Sequence, residues 1–308
     1  MTEMKIFIDG KWVSRKSAKI SVFDHGVLYG DGVFEGIRAY GGRVFRLNAH
    51  LSRLQRSAAL TSLVIPLTAA KLEKLIYEGL KRNRLQDAYI RLLVTRGEGD
   101  LGLDPRCCPK PNVIIIIDKL ALFPEKCYRE GLQAVIAQTR RTNPDALDPT
   151  IKSMNYLNNI LAKIEANRQG VPEAIMLNAK GYVCECTGDN VFYVKDRVVV
   201  TPPVSAGILE GITRAAVIEI IRKKTSFAIK ESLFTPQELF SADEVFFTGT
   251  AAEIIPVTLI NKRPIGTGAP GAVTQELVGH FKQLIKSEAS STQPASPQRR
   301  GSIGLRLS

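Results

Sequence analysis

Two glycine- and threonine-rich segments stand where an anion could be held. Gly207-Ile-Leu-Glu-Gly-Ile-Thr-Arg214 runs directly into an amphipathic stretch, so the free N–H groups of a helix's first turn can face a phosphate or carboxylate. Gly249-Thr250-Ala251-Ala252 follows an apolar, strand-like run and offers a second junction of the same kind. Alone, each reads as an ordinary helix or turn cap; two in one domain strengthen the case for a phosphorylated ligand. Other signatures are missing. Tyr29-Gly-Asp-Gly lacks the third glycine and the βαβ setting of a dinucleotide fingerprint. There is no Gly-x-x-x-x-Gly-Lys-Ser/Thr loop, Gly-x-Ser-x-Gly elbow or His-Glu-x-x-His pair, which removes support for kinase-like, hydrolase and zinc-protease chemistry.

One acid stands out. Glu185, in Val183-Cys-Glu-Cys-Thr-Gly-Asp-Asn190, lies among apolar and small residues where a strand should turn; by itself it reads as a hairpin acid near the surface. Lys152, just before a helical stretch, reads by itself as solvated. The five cysteines are Cys107, Cys108, Cys127, Cys184 and Cys186. Neither the vicinal pair nor Cys184-Glu-Cys186 has zinc-ligand spacing, and with three histidines no cluster around them and no metal are expected. An odd number of thiols also argues against a disulfide framework.

The elements that must position these residues read as mixed α/β in two domains. Asp9-Gly10 turns one hairpin, and Gly41-Gly42 a second. Asn48 is the expected N-cap of a helix over 48–60 with Leu51 and Leu54 on its apolar face, and Thr68 opens another with Leu72, Leu75, Ile76 and Leu80. Strands are expected over 89–95 and 113–117, around a polar loop at 96–105 too long for a tight turn. A connector at 122–128 would separate a smaller N-terminal domain (1–121) from a larger one (129–288). The larger domain should hold strands over 133–138, 173–177, 191–194, 197–201, 227–231 and 244–248. Its helices should cover 155–169, with Leu157, Ile160, Leu161 and Ile164 apolar, and 213–224. Residues 289–308, rich in Ser, Pro, Gln and Arg, read as a disordered tail.

Bulk properties bound the function class. The 308 residues are 44% apolar and 23% charged, the balance of an ordinary globular chain with room for a large core. The longest apolar runs, such as 113–117, fall far short of the ~20 residues a bilayer needs. No secretory signal precedes the first hairpin, so a cytoplasmic address is expected. The net charge of +12 invites a nucleic-acid reading, but Arg299, Arg300 and Arg306 lie in the tail and the other basic residues mix with acids, as in Lys71-Leu-Glu-Lys74. A solvated basic surface is expected rather than a nucleic-acid partner.

Taken in order, the segments resemble the fold-type IV pyridoxal-phosphate enzymes, and within them the branched-chain aminotransferases. Tyr29-Gly-Asp-Gly-Val-Phe-Glu-Gly-Ile-Arg-Ala-Tyr40 is similar to the family's N-terminal motif, Lys152-Ser-Met-Asn-Tyr156 to its cofactor-lysine segment, and Glu185-Cys-Thr-Gly-Asp-Asn190 to its acidic strand motif. Gly211-Ile-Thr-Arg214 and Gly249-Thr-Ala-Ala-Glu-Ile-Ile-Pro-Val257 are similar to its two phosphate-side motifs. The likeness spans residues 6–281 and overturns the isolated readings of Lys152 and Glu185.

The resemblance implies two domains with pyridoxal 5'-phosphate at their interface. Lys152 would form the Schiff base with the cofactor aldehyde and later carry the proton between Cα and C4′. Glu185 would keep the pyridine nitrogen protonated, and Tyr156, about one helical turn from Lys152, would bond the ring hydroxylate. Arg53, Gly211, Ile212, Thr213, Gly249 and Thr250 would hold the phosphate, with Leu209 against the ring. Tyr29, Phe34, Gly36, Tyr89 and Arg91 would line the substrate pocket, with Thr250 and Ala251 offering N–H groups to the α-carboxylate. Arg91 would accept the distal carboxylate of glutamate at the edge of an apolar pocket. Leu103, at the tip of the polar loop, would cover a neighbouring subunit's site, implying a homo-oligomer. The implied reaction is transamination between L-leucine, L-isoleucine or L-valine and 2-oxoglutarate. Related activities on the same scaffold are D-amino-acid or (R)-amine transamination and aminodeoxychorismate cleavage.

Overall fold

The computed structural model describes residues 3–119 and 122–290. Asp9 and Gly10 take φ of 45° and 81°, the left-handed turn geometry that follows strand twist, and join β1 (Lys5–Ile8) to β2 (Lys11–Ser14). A short helix, α1 (His25–Leu28), follows. Gly41-Gly42 then links β3 (Gly32–Tyr40) to β4 (Arg43–Val44). With β5 (Ala88–Thr95) and β6 (Asn112–Asp118) these strands form a six-stranded sheet ordered β2-β1-β6-β5-β3-β4.

Helices α2 (Leu47–Leu60) and α3 (Ala69–Asn83) bury one face of that sheet, packing Leu51, Leu54, Leu72 and Ile76 over Ile37, Ile90, Leu92 and Ile115. Strand alternation does the rest. Ala88, Ile90 and Leu92 of β5 face the helices, so Tyr89 and Arg91 between them face the other way. Thr68 caps α3 as expected, accepting from the Lys71 N–H. Asn48 does not cap α2. The helix starts at Leu47 behind Arg46, which has a left-handed φ of 51° and no side-chain cap bond. Arg46 is instead held at 2.9 Å by Glu219, so a tertiary ion pair sets that entry.

The second sheet is mixed and has nine strands: β7 (Leu132–Ile136), β8 (Glu173–Leu177), β9 (Val183–Cys186), β10 (Asn190–Lys195), β11 (Val198–Thr201), β12 (Ala228–Glu231), β13 (Glu244–Gly249), β14 (Glu253–Ile260) and β15 (Arg263–Pro264). Its path is β12-β11-β10-β13-β14-β7-β8-β9, with β15 on β14. β9 also reaches β10 through the pair Glu185–Asn190, which closes the strands from β10 round to β9 into a ring. Of its helices, α5 (Leu157–Arg168) packs small residues, Ala162 and Ala166, against Ala174 and Met176. α6 (Ile212–Lys224) and α8 (Ala272–Ser290) share a core with Phe192 and Phe246. The short α4 (Glu125–Glu130) and α7 (Pro236–Phe240) sit in the connections.

Several expectations change. The 122–128 connector contains the start of α4. β14 and α8 were not foreseen, and the strand at Glu185, expected as a surface hairpin, is β9 with every residue buried. The apolar stripe expected to bury α5 faces outward: Leu157 and Ile160 are 67% and 51% exposed, and Leu161 and Ile164 are exposed too. Of the expected tail, only residues 289 and 290 are described, as the end of α8. No helix among the described residues is long and apolar enough to cross a membrane.

Candidate active site

A cavity of about 340 Å³ opens between the two sheets. Phe34, Gly36, Tyr89 and Arg91 reach it from the first sheet, on the face turned away from α2 and α3. Lys152 and Tyr156 enter from the segment before α5, Glu185 from β9, Leu209, Gly211, Ile212 and Thr213 from the start of α6, and Gly249, Thr250 and Ala251 from the end of β13. Arg53 joins them from α2. Tyr29 and Leu103 do not line this cavity. Tyr29 donates its hydroxyl to Leu101 O at 2.6 Å, and Leu103 is 78% exposed at the tip of the polar loop.

Lys152 is pinned through its backbone. Its N–H donates to Ser57 Oγ on α2 at 3.1 Å and its carbonyl accepts from Phe34 N on β3 at 3.0 Å, so the N-terminal sheet and its helix hold this segment. Its Nζ donates to the Tyr156 hydroxyl at 3.0 Å and lies 4.7 Å from the centre of the Phe34 ring. The Lys–Tyr contact does not arise from helical spacing, because α5 begins only at Leu157 and residues 152–156 are irregular.

Glu185 is buried, not a surface hairpin acid. Its Oε1 accepts from Arg141 Nε at 2.8 Å; Oε2 accepts from Leu209 N at 2.9 Å and Asn190 Nδ2 at 3.4 Å. Burial pushes its carboxyl above the usual range, against the pull of Arg141 and the Leu209 N–H. Arg141 is absent from the sequence-derived set because an arginine in a polar loop carries no local mark. Asp189, quoted only as part of a motif, is also buried on the cavity wall. Burial and the charge of Glu173 push it up to about 7.

Arg53 is neither exposed nor free. Nε and Nη2 donate to the two oxygens of Glu35 at 2.7 and 2.8 Å, and Nη1 donates to Glu210 O at 2.7 Å. His50 Nδ1 lies 2.7 Å from the same carboxylate. Burial would raise the Glu35 carboxyl, but the Arg53 charge and bonds and His50 outweigh it and hold it down at about 2. Each Arg53 Nη still carries a second N–H. Gly211 caps α6 without a side-chain bond, so the first-turn N–H groups of Ile212 and Thr213 have no intrahelical acceptor. The Thr248 Oγ1 on the same wall is buried with no hydrogen-bond partner among the described residues. Gly36 is required by its neighbour: a Cβ there would come within 2.1 Å of the Tyr89 hydroxyl.

One expectation about the thiols fails. The fold brings His25 beside Cys107 and Cys108, a cluster invisible in their spacing because more than seventy positions separate the histidine from the pair.

The family model for amino-transferase class IV matches residues 32–260. A Methanocaldococcus jannaschii protein provisionally named a branched-chain-amino-acid aminotransferase is 50% identical over 281 residues, which cover 91% of this chain and 96% of that one. The crystal structure of the Escherichia coli branched-chain amino acid aminotransferase superposes with a TM-score of 0.89 at 34% identity, over 93% of this chain and 96% of that one. A branched-chain amino acid aminotransferase from T.th., solved with pyridoxamine 5'-phosphate, gives 0.88 at 35% identity, over 93% and 95% of the two chains. The same enzyme complexed with N-(5'-phosphopyridoxyl)-L-glutamate or with 4-methylvaleric acid gives 0.87 in each case. With similarity this high over nearly its whole length, the chain belongs to the class IV aminotransferase family.

Proposed function

We propose that this chain moves amino groups between L-leucine, L-isoleucine or L-valine and 2-oxoglutarate, with pyridoxal 5'-phosphate as cofactor. One observation carries the substrate choice. The Arg91 guanidinium carbon lies 4.7 Å from the Phe34 ring centre and 5.4 Å from that of Tyr89, a cation set against two aromatic rings of the cavity wall. Such a wall accepts an aliphatic side chain, and the arginine can pair with a second carboxylate. The two ligands of the T.th. enzyme fit that pattern, one a glutamate adduct and one a branched aliphatic acid.

The cavity suits the cofactor. Its ~340 Å³ lies in the range of small-molecule sites. The anion end has Arg53, the open N–H groups of α6 and the unpartnered Thr248 hydroxyl, and the opposite walls offer the Lys152 amine and the Glu185 carboxylate. When bound, pyridoxal phosphate supplies an electron sink that weakens the substrate's Cα–H bond. Lys152 is the residue placed to take and return that proton, and Tyr156, 3.0 Å from its Nζ, orients the amine. Glu185 would hold a proton at the ring nitrogen, and its Arg141 contact opposes the upward push of burial on its carboxyl. Leu209 would pack against the ring, while Gly249, Thr250 and Ala251 would hold the phosphate and the substrate's α-carboxylate.

The test is an amino-donor screen with 2-oxoglutarate as acceptor. Initial rates should favour L-leucine over D-alanine and (R)-1-phenylethylamine, and the Lys152→Ala variant should transfer nothing. A preference for D-alanine, or activity in a colourless protein freed of cofactor, would sink the reading.

The two sheets are read as two domains, 1–121 and 129–288, and the cytoplasm as the compartment. Five cysteines without a disulfide suit a reducing setting. Self-association is part of the proposal. Leu157, Ile160, Leu161 and Ile164 form an exposed apolar stripe on α5, and Val22, Phe23, Leu101 and Leu103 are exposed as well. Light scattering on an Ile160→Glu/Ile164→Glu variant should show smaller particles than the wild type.

A further inference from the structure

Away from the cavity, α1 and the polar loop after β5 meet at His25, Cys107 and Cys108. The Cys107 Sγ lies 3.7 Å from His25 Nε2 and 3.9 Å from Cys108 Sγ, and all three donor atoms fall within 4.8 Å of one another. Tetrahedral zinc, with Zn–S of about 2.3 Å and Zn–N of about 2.0–2.1 Å, separates two sulfurs by about 3.8 Å and a sulfur from a nitrogen by about 3.6 Å. The two measured contacts match those spans.

A second observation shows where the donors converge. A Cβ built on Gly99 would stand 2.6 Å from Cys108 Sγ, 2.9 Å from Cys107 Sγ and 2.9 Å from His25 Nε2. The three atoms therefore aim at one point, and the residue facing that point has no side chain. The Asp100 carbonyl lies beside them, accepting from His25 Nε2 at 2.9 Å.

A vicinal disulfide suits this pair less well. Adjacent Cα atoms are about 3.8 Å apart, below the usual span of about 4.4–6.8 Å across a disulfide.

We propose that His25, Cys107 and Cys108 bind a zinc ion, with solvent in the fourth position, and that the ion clamps the 97–108 loop onto α1. Both thiols release their protons to solvent as the metal binds, and the imidazole moves its Nε2 proton to Nδ1, so that Nε2 exchanges its bond to the Asp100 carbonyl for the metal. The clamp reinforces contacts already present between the two segments, the Gly99 N–H to Phe23 O bond at 3.2 Å and the Tyr29 to Leu101 bond.

Elemental analysis of the purified holoenzyme tests this, together with titration by Zn2+ against a chromophoric chelator and by Co2+ with absorbance detection. The wild type should bind one zinc per chain, and its cobalt form should show sulfur-to-cobalt charge-transfer bands. Cys107→Ser/Cys108→Ser should weaken zinc by more than ~100-fold, beyond the 10–100-fold typical of losing only a ligand's supporting partner. Gly99→Ala keeps every donor but fills their meeting point, and should lose the metal as well. A wild type that takes up no zinc at equimolar concentration, a cobalt form without sulfur bands, or binding unchanged in folded variants would each refute the site. The cobalt spectrum needs only wild-type protein and decides the matter if the variants do not fold.

Discussion

Arg141 Nε donates to Glu185 Oε1 at 2.8 Å, so the buried acid of the cavity has a cationic partner supplied by the chain itself. An opposite charge at this distance typically lowers a carboxyl pKa by about 1–3 units. Replacing Arg141 with Met should therefore let burial push Glu185 higher still. If Glu185 must be anionic, the acid limb of the kcat/KM–pH profile should move up by about one unit or more. An unshifted limb would mean that Glu185 does not limit activity at low pH.

The Glu35–Arg53–His50 group makes a stability prediction with a defined sign. Glu35 titrates near 2 in the fold against an ordinary 4.5. A depressed carboxyl stabilises the protein above pH ~4.5, and that contribution disappears as pH falls through about 2. At about 1.4 kcal/mol per unit it amounts to roughly 3 kcal/mol. Glu35→Gln leaves Arg53 buried without its anion and should cost about 3–5 kcal/mol near neutrality. Urea unfolding between pH 2 and 7 should show the variant losing less stability with acid than the wild type.

Asp189 works in the opposite sense. Raised to about 7, its carboxyl favours the fold while protonated, and that favour is lost as pH climbs from about 4 through 7. In cofactor-free protein, Asp189→Asn should therefore raise the urea midpoint at pH 8 and change it little at pH 4. Equal effects at both values would show that the carboxyl is not strained by its surroundings.

Arg91 separates the two substrates. Arg91→Met keeps the apolar wall and removes the cation, so KM for 2-oxoglutarate should rise about 10–100-fold, the loss of one charged hydrogen-bonded pair. KM for leucine should change by less than about threefold, since its side chain asks nothing of the guanidinium. Parallel losses for both substrates would remove Arg91 from the specificity role.

Chemistry tied to local order was legible in the chain. Asp9-Gly10 and Gly41-Gly42 dictate their hairpins because few residues accept positive φ, and Thr68 announces α3 because its hydroxyl can cap only a nearby N–H. The order of the motifs around Lys152, Glu185, Gly211 and Gly249 pointed to a shared ligand. Tertiary packing decided the rest, because pairing across long sequence separations leaves no periodic trace. It brought Arg141 to Glu185, sank Arg53 onto Glu35, and turned the apolar stripe of α5 outward while its small residues met β8. It also set His25 against two thiols that the spacing had kept apart. Side-chain type limits what chemistry is possible, but only the closing of the two sheets determines which charges meet.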